Sequence, residues 1–465
     1  MFVRTLLLTL LFAALVLLSS LPLQANSALN SSNQSSIKQH SLMQQQNLMQ
    51  QQNFVLSDRC PASFKKSDSG VCELVSFYQM YDSVQGRGLG GTQTSLPKYR
   101  DGFTPQQIDL GRYLFFDPAL SKDGSISCAS CHQPDKGFSD DLDRSIGING
   151  TKVARSAPTL WNVAFLDKFF WDGRANTLEQ QAIGPLFDPN EMGNTAEHLL
   201  KSLAAIDAYP AMFKQAFANK EQGENIVNKN WITIENISTA LTAFQASLIS
   251  LNSRYDQYAH GYHQALTENE IKGLNIFRSF VARCAECHQP PLFTNNQIAV
   301  IGTPEPEGMP FDIGAEKTLN NKKNRGGFKV PTLRNVAKTA PYMHSGKFTT
   351  LRDATEFYNL GRGHAVPEGE KLLIHWHIWE PDLKDAEIDL IVEFLHSLND
   401  ESLTPQIPSA VPSGLAVIDQ QYATQQSLKL IDLESQKLQQ SEQQIAQKKE
   451  QQKDSQDKEI GEDYE

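Results

Sequence analysis

The chain has 465 residues, enough for two or three domains with cores of their own, and a formal net charge of −11. That acidic balance argues against nucleic acid as a partner and favours a partner with a basic face. Six cysteines fall as three close pairs, and each pair suggests a different use.

The first residues read as an export signal. Met1-Phe2-Val3-Arg4 carries a positive charge, an apolar run extends from Leu6 to Leu18, and small residues follow around Ala25 and Ala28. A signal peptide over 1–25 and a periplasmic location are expected. The alternative is an uncleaved anchor that would leave the protein touching the membrane at one end. Residues 26–56 are rich in Ser, Asn and Gln without apolar periodicity, the composition of a disordered leader. In the segment 57–84, Cys60 and Cys72 enclose a small loop with no nearby histidine. In an exported chain they read as a disulfide, with free thiols as the alternative.

From about 85 to 402 the pattern is one of short helices separated by loops rich in Gly and Pro. Pro105–Phe116 and Asp385–Leu398 have helical spacing, and Ile388, Ile391, Val392 and Leu395 fall on one face of the latter. Strand-like alternation is scarce, so the fold class is mainly α. From about Gln420 to Glu465 the chain is Gln, Lys and Glu with sparse apolar residues at Leu428, Ile431, Leu438 and Ile445. This is a solvated helix, a short pairing helix or disorder, too short for a stable coiled coil.

Two motifs carry the chemistry: Cys128-Ala129-Ser130-Cys131-His132 and Cys284-Ala285-Glu286-Cys287-His288. Two thiols at this spacing can add to the two vinyl groups of one haem, and the adjacent imidazole then meets the iron. A zinc site would not require His directly after each second Cys, and a redox dithiol would be expected in a βαβ setting. Two covalent haem c groups are therefore expected.

The chain also repeats itself. Pro158-Thr159-Leu160-Trp161-Asn162-Val163 recurs as Pro331-Thr332-Leu333-Arg334-Asn335-Val336, and the gap-free alignment sets Gly173 on Gly346 and Thr177-Leu178 on Thr350-Leu351. Both copies follow a CxxCH and a Gln-Pro pair. Two related haem domains in tandem are expected, over 85–250 and 251–405, with a polar, charged tail over 406–465. The alignment brings out an asymmetry: Trp171 falls on His344, and Pro185 falls on Tyr358. If the latter slot overlies the face of the haem opposite its histidine, Tyr can ligate iron and Pro cannot. Met343 is the alternative ligand for the second iron, and His198 a candidate cap for the first.

Over roughly 100–400 these residues resemble the bacterial dihaem cytochrome c peroxidase family. The likeness is carried by the two CxxCH motifs, Ala157-Pro158-Thr159, Phe170-Trp171-Asp172-Gly173-Arg174, Gln181-Ala182-Ile183-Gly184-Pro185, Glu191-Met192 and Thr339–Gly346. The resemblance implies two cytochrome c-like domains, a periplasmic location, and Gln181 and Glu191 lining the open side of the first haem. It also implies Trp171 between the haems and a calcium ion on backbone oxygens of Thr339 and Pro341. The calcium pattern is incomplete, because Arg155-Ser156 stands where the family places an Asn.

Two further departures matter for function. Where the reduction-activated members carry a capping His, this chain has Ile148, and where they carry Met it has Tyr358. Both make it resemble the MauG branch, whose members oxidise side chains of a partner protein. The expected activity is reduction of hydrogen peroxide at an open first haem. Glu191 would act as general acid and base, Gln181 would orient the peroxide, and Trp171 would relay charge from the second haem. Electrons would come from a small cytochrome c, a cupredoxin or a protein side chain. The alternative is a non-catalytic dihaem electron carrier. Trp376 and Trp379, flanked by His375 and His377, read as ordinary packing.

Overall fold

The computed structural model describes residues 54–76, 78, 96–218, 230–361 and 363–418. The expected export signal, nearly all of the leader and the Gln/Lys/Glu-rich stretch lie outside the described residues. Every element below belongs to one unit that begins at Val55.

The helices, in chain order, are α1 (Pro105–Phe116), α2 (Cys128–Cys131), α3 (Leu178–Phe187), α4 (Ala196–Ala204), α5 (Ala208–Phe217), α6 (Ile234–Ala246), α7 (Arg254–Ala259), α8 (Glu268–Phe277), α9 (Cys284–Cys287), α10 (Ala315–Leu319), α11 (Leu351–Asn359) and α12 (Asp385–His396). Strands among the described residues are confined to two small antiparallel pairs, β1 (Phe64–Lys66) with β2 (Cys72–Leu74), and β3 (Ile298–Val300) with β4 (Gly327–Lys329). The mainly α expectation holds. Cys60 and Cys72 are joined in a disulfide beside β2.

Local chemistry sets the helix ends. Thr104 and Gln107 form a reciprocal capping box at the start of α1, with Pro105 in the first turn. Helix α12 begins at Asp385 as expected but stops short of Leu398, at Ser397, whose hydroxyl donates to Phe394 O at 2.6 Å.

Two helix crossings organise the interior, and both depend on glycine. A Cβ on Gly111 of α1 would lie 1.8 Å from Ala240 O of α6, and one on Gly273 of α8 would lie 2.0 Å from Leu390 O of α12. Only a residue without a side chain permits either approach. Around the first crossing pack Phe115 and Phe244, with ring centroids 5.0 Å apart, and nearby Phe138 meets Trp161 at 5.0 Å. Around the second pack Tyr255, Phe277, Phe293 and Phe394.

The sequence repeat reappears in the backbone. Asn162 and Asn335 both take left-handed conformations and open short 3₁₀ turns at Val163–Phe165 and Val336–Lys338. Phe169 bridges Ala175 as Tyr342 bridges Phe348. Thr177 and Thr350 each cap the following helix, α3 and α11. Thr159 Oγ1 donates to Gly137 O at 2.7 Å, and Thr332 Oγ1 to Leu292 O at 2.6 Å.

The copies meet at fully buried Ser250. Its N–H donates to Asn162 Oδ1 at 2.9 Å, its carbonyl accepts from Asn162 Nδ2 at 2.8 Å, and its hydroxyl accepts from Asn335 Nδ2 at 2.8 Å. The described start of the 406–465 segment is not free: Val411, Val417 and Ile418 are buried, and the Ser413 hydroxyl donates to Asp117 at 2.5 Å.

Candidate functional site

Each CxxCH forms a single helical turn, α2 or α9, that presents two thiols and ends on its histidine. His132 Nδ1 lies 2.9 Å from Phe138 O, and His288 Nδ1 lies 3.1 Å from Phe293 O. Donation to those carbonyls orients each ring, and the carbonyls of Pro158 and Pro331 also interact with His132 and His288 respectively. Burial lowers the pKa of both imidazoles, that of His288 to about 4, which favours their neutral form. Burial also pushes Cys128, Cys131 and Cys284 up to about 12. Burial thus disfavours the thiolate form on which dithiol exchange depends. Among the described residues no group of three or more His, Cys, Asp or Glu is placed to hold a metal ion.

The second motif opens into a large cleft, about 1860 Å³ of empty space including its mouth. Cys284, Cys287 and His288 lie in its wall, together with Met343, Tyr358 and Trp171. Both sulfur and phenol candidates for the second iron therefore face one space. Burial, reinforced by the neighbouring Cys287 and Cys284, raises the Tyr358 phenol well above its usual 10.0. Its slot in α11 matches that of Pro185 in α3.

Around the first motif, the turn after α3 carries Glu191. Ile148 N donates to Glu191 O at 2.9 Å, and a Cβ on Gly147 would lie 1.8 Å from Asn190 O. Gly193, at φ +58°, is packed so closely against Ile148 that a Cβ there would lie 2.3 Å from Ile148 Cδ1. Buried Ile148, standing in the position of the family's capping His, is thus wedged against the Glu191 turn. Burial raises the Glu191 carboxyl to about 7, helped by Asp188 and opposed by Arg174. Its charge in turn contributes to the raised pKa of Cys128 and Cys131, so it lies close to the first motif. Gln181 Oε1 is buried with no hydrogen-bond partner, an acceptor left open. His198 does not serve as a cap: it is exposed, with Nδ1 3.0 Å from Asn194 Oδ1.

Trp171 donates its indole N–H to Ser156 O at 2.9 Å, and its ring centroid lies 6.4 Å from that of buried His344. Ser156, Ala157 and Pro158 line the same cleft, while Ser139, seven residues past His132, donates to Ala157 O at 3.0 Å. The Ala-Pro-Thr block thus runs from the first motif to the second cleft, with Trp171 attached to it. Two ion-paired groups in this seam carried no sequence signal. Arg155 joins Asp312 and Asp172 at 2.7 and 2.9 Å, and His344 Nε2 lies 2.8 Å from Glu305.

The donor set fits two haem c groups: paired thiols, buried imidazoles and a cleft beside the second pair. The fit to calcium is thinner. Thr339 and Pro341 line the cleft, but the Ser156 hydroxyl is already donated to Met343 O at 2.9 Å.

A family model described as di-haem cytochrome c peroxidase matches residues 105–264. Cytochrome c551 peroxidase of Nitrosomonas europaea is 34% identical over 315 residues, covering 67% of this chain and 86% of that protein. Methylamine utilization protein MauG of Methylorubrum extorquens is 33% identical, covering 66% and 82%. Among solved structures, a MauG-like protein associated with microbial copper homeostasis matches with a TM-score of 0.59 at 30% identity, over 67% of this chain and 98% of that one. The diheme peroxidase BthA from Burkholderia thailandensis matches with a TM-score of 0.56 at 29% identity, over 70% and 95%.

Proposed function

Since the chain belongs to the dihaem cytochrome c peroxidase family, we propose that it reduces hydrogen peroxide at the haem c held by Cys128, Cys131 and His132. Cys284, Cys287 and His288, with Tyr358 in the same cleft wall, would hold a second haem c, whose contribution would be to store and pass electrons. The observation that carries this reading is the carboxyl of Glu191, raised to about 7 beside the first motif. It stands in the half where Pro185 offers no donor atom and Ile148 replaces a potential cap.

A bound haem c supplies the iron on which peroxide is reduced and a reservoir for single electrons. The rest falls to the chain's own residues. Near neutral pH Glu191 is poised to take the proton from one peroxide oxygen and return it to the departing one, so that water leaves instead of hydroxide. The unpartnered Gln181 Oε1 accepts a hydrogen bond from the substrate and fixes its orientation. Trp171, its N–H committed to Ser156, passes charge through its ring from the second cleft towards the first motif. Calcium, held by the carbonyls of Thr339 and Pro341 with water completing its shell, would brace the cleft wall.

Each peroxide takes two electrons, which a redox protein or a side chain of a partner protein supplies. The open first haem and the Tyr358 slot favour the second kind of donor, the chemistry of the MauG branch. Export by way of residues 1–25 would put this reaction in the periplasm. Among the described residues no helix is long and apolar enough to cross a membrane. The deciding experiment is an EPR spectrum of the resting ferric protein. One high-spin and one low-spin haem are expected, with the high-spin signal lost on adding cyanide. Two low-spin haems at rest would make the chain an electron carrier instead.

A further inference from the structure

We propose that Trp376 is the port through which electrons enter the second haem site from a protein reductant, an inference that rests on the peroxidase reading above. The stretch from His375 to Trp379 does not pack as an ordinary core. Trp379, Ile378 and His377 line the cleft that holds Cys284, Cys287 and His288, whereas Trp376 is 65% exposed. Four residues therefore run from the wall of the second site to open solvent.

Ring contact and a shared cation connect the outer indole to the inner one. The Trp376 and His377 centroids are 3.6 Å apart. The Arg283 guanidinium lies 4.9 Å from the Trp376 ring and 5.9 Å from the Trp379 ring, bridging outer and inner indoles. Glu286, inside the second CxxCH, fastens this arrangement. Its carboxylate accepts from Arg283 at 2.7 and 3.0 Å and lies 2.6 Å from His377 Nε2. A cation beside an indole disfavours loss of an electron from it, and the Glu286 charge offsets that effect. Trp379 Nε1 donates to Val281 O at 3.0 Å, which ties the inner indole to the loop leading into the motif.

That same loop indicates the kind of reductant. Phe280 is 89% exposed and Val281 49%, so the loop to which Trp379 is tied carries exposed apolar side chains next to Arg283, the partner of Trp376. Contiguous apolar surface with an exposed aromatic suits contact with another protein, not with a small hydrophilic reductant. A reductant docked here cannot enter the cleft and must pass electrons through the wall. Trp376 gives one electron inward by way of His377 and Trp379 and regains one from the partner's redox centre. No bond is made or broken in the relay. The partner loses one electron at each of two such events, and peroxide, with two protons, becomes two waters.

The test charges the holoprotein with peroxide in the absence of a donor and maps oxygen added to tryptophan by peptide mass spectrometry. Trp376 should be modified in the wild type, and Trp379→Phe should suppress that modification by interrupting the inner step. In a second measurement, Trp376→Phe should lower the limiting rate at which a reduced mono-haem cytochrome c is oxidised. The half-saturating donor concentration should not change, since the ring still fills the contact. The port is overturned if Trp376 stays unmodified while peroxide is consumed, if modification persists undiminished in Trp379→Phe, or if Trp376→Phe oxidises the donor at the wild-type rate. A wild type that fails to consume peroxide even with ascorbate as reductant overturns the peroxidase reading itself, and the port with it.

Discussion

The two copies of the repeated block share a frame and differ in what it holds. Both have a glycine at their main helix crossing, a left-handed Asn after Pro-Thr-Leu, a threonine cap and a CxxCH turn whose His meets a backbone carbonyl. Three slots diverge. Buried Trp161 faces Phe138 where buried Arg334 pairs with Asp256, Trp171 stands where His344 meets Glu305, and Pro185 stands where Tyr358 enters the cleft. The shared positions meet backbone demands that few residues satisfy, such as a missing Cβ or a positive φ. The divergent positions are side-chain contacts, and these can change one at a time. Duplication thus keeps the scaffold while ligation, charge and reactivity separate.

The largest break in the comparison should come from Glu191, which has no counterpart role in the second half. Glu191→Gln is expected to slow the peroxide step by about two to four orders of magnitude, measured by stopped-flow absorbance. In the wild type that rate should rise with pH through about 7, because the raised carboxyl must lose its proton before it can accept one from peroxide. The variant should lack this step in the profile.

Next comes the buried pair in the second half. Burial alone would raise the pKa of Asp256, but Arg334 and the hydrogen bonds from Arg334, Tyr78 and Ser253 outweigh it and hold the carboxyl below its usual range. Arg334→Met should cost about 3–5 kcal/mol by leaving that carboxylate unpaired in the interior, measured by denaturant unfolding. The sign with pH follows from the lowered value. The pair's stabilisation is fully present above the unfolded carboxyl's pKa of about 3.9 and is lost as pH falls through the folded one. Trp161→Phe, the matching change in the first half, should cost less and show no such acid dependence.

The shared frame should respond evenly. Gly111→Ala and Gly273→Ala each force a methyl against a carbonyl, and each should cost about 1–3 kcal/mol by thermal unfolding. A cost confined to one of them would mean that the two crossings are not equivalent. Smallest are the caps: Thr177→Ala and Thr350→Ala should each lose about 1 kcal/mol.

Much of the scaffold was legible because its signals are local. The haem motifs, the disulfide-forming cysteines, helix α1 and the repeat all lie within short windows of sequence. Glu191, Gln181 and Trp171 came from resemblance, since a lone carboxylate after Pro-Asn has the composition of a surface turn. What stayed hidden depends on contacts between distant residues. Nothing near Gly111 indicates that Ala240 passes over it, and nothing near Arg334 points to Asp256. Trp376 and Trp379 sit three residues apart and look alike in sequence, yet Trp379 lines the cleft and Trp376 faces solvent, because the backbone turns at Trp376 and His377, closed by Ile378 N donating to His375 O.

Ser250 has a mechanical consequence. Both copies spend an asparagine side chain on this single buried residue, so the boundary between them behaves as a rivet and not as a hinge. Slow breathing of one half against the other would have to break the buried Asn335–Ser250 hydrogen bond together with those from Ser156 to Met343 O and His344 O. The spacing between the two iron-binding motifs should therefore be nearly constant from molecule to molecule. Charge hopping between them should then follow a single exponential instead of the spread of rates that a floppy tandem would give.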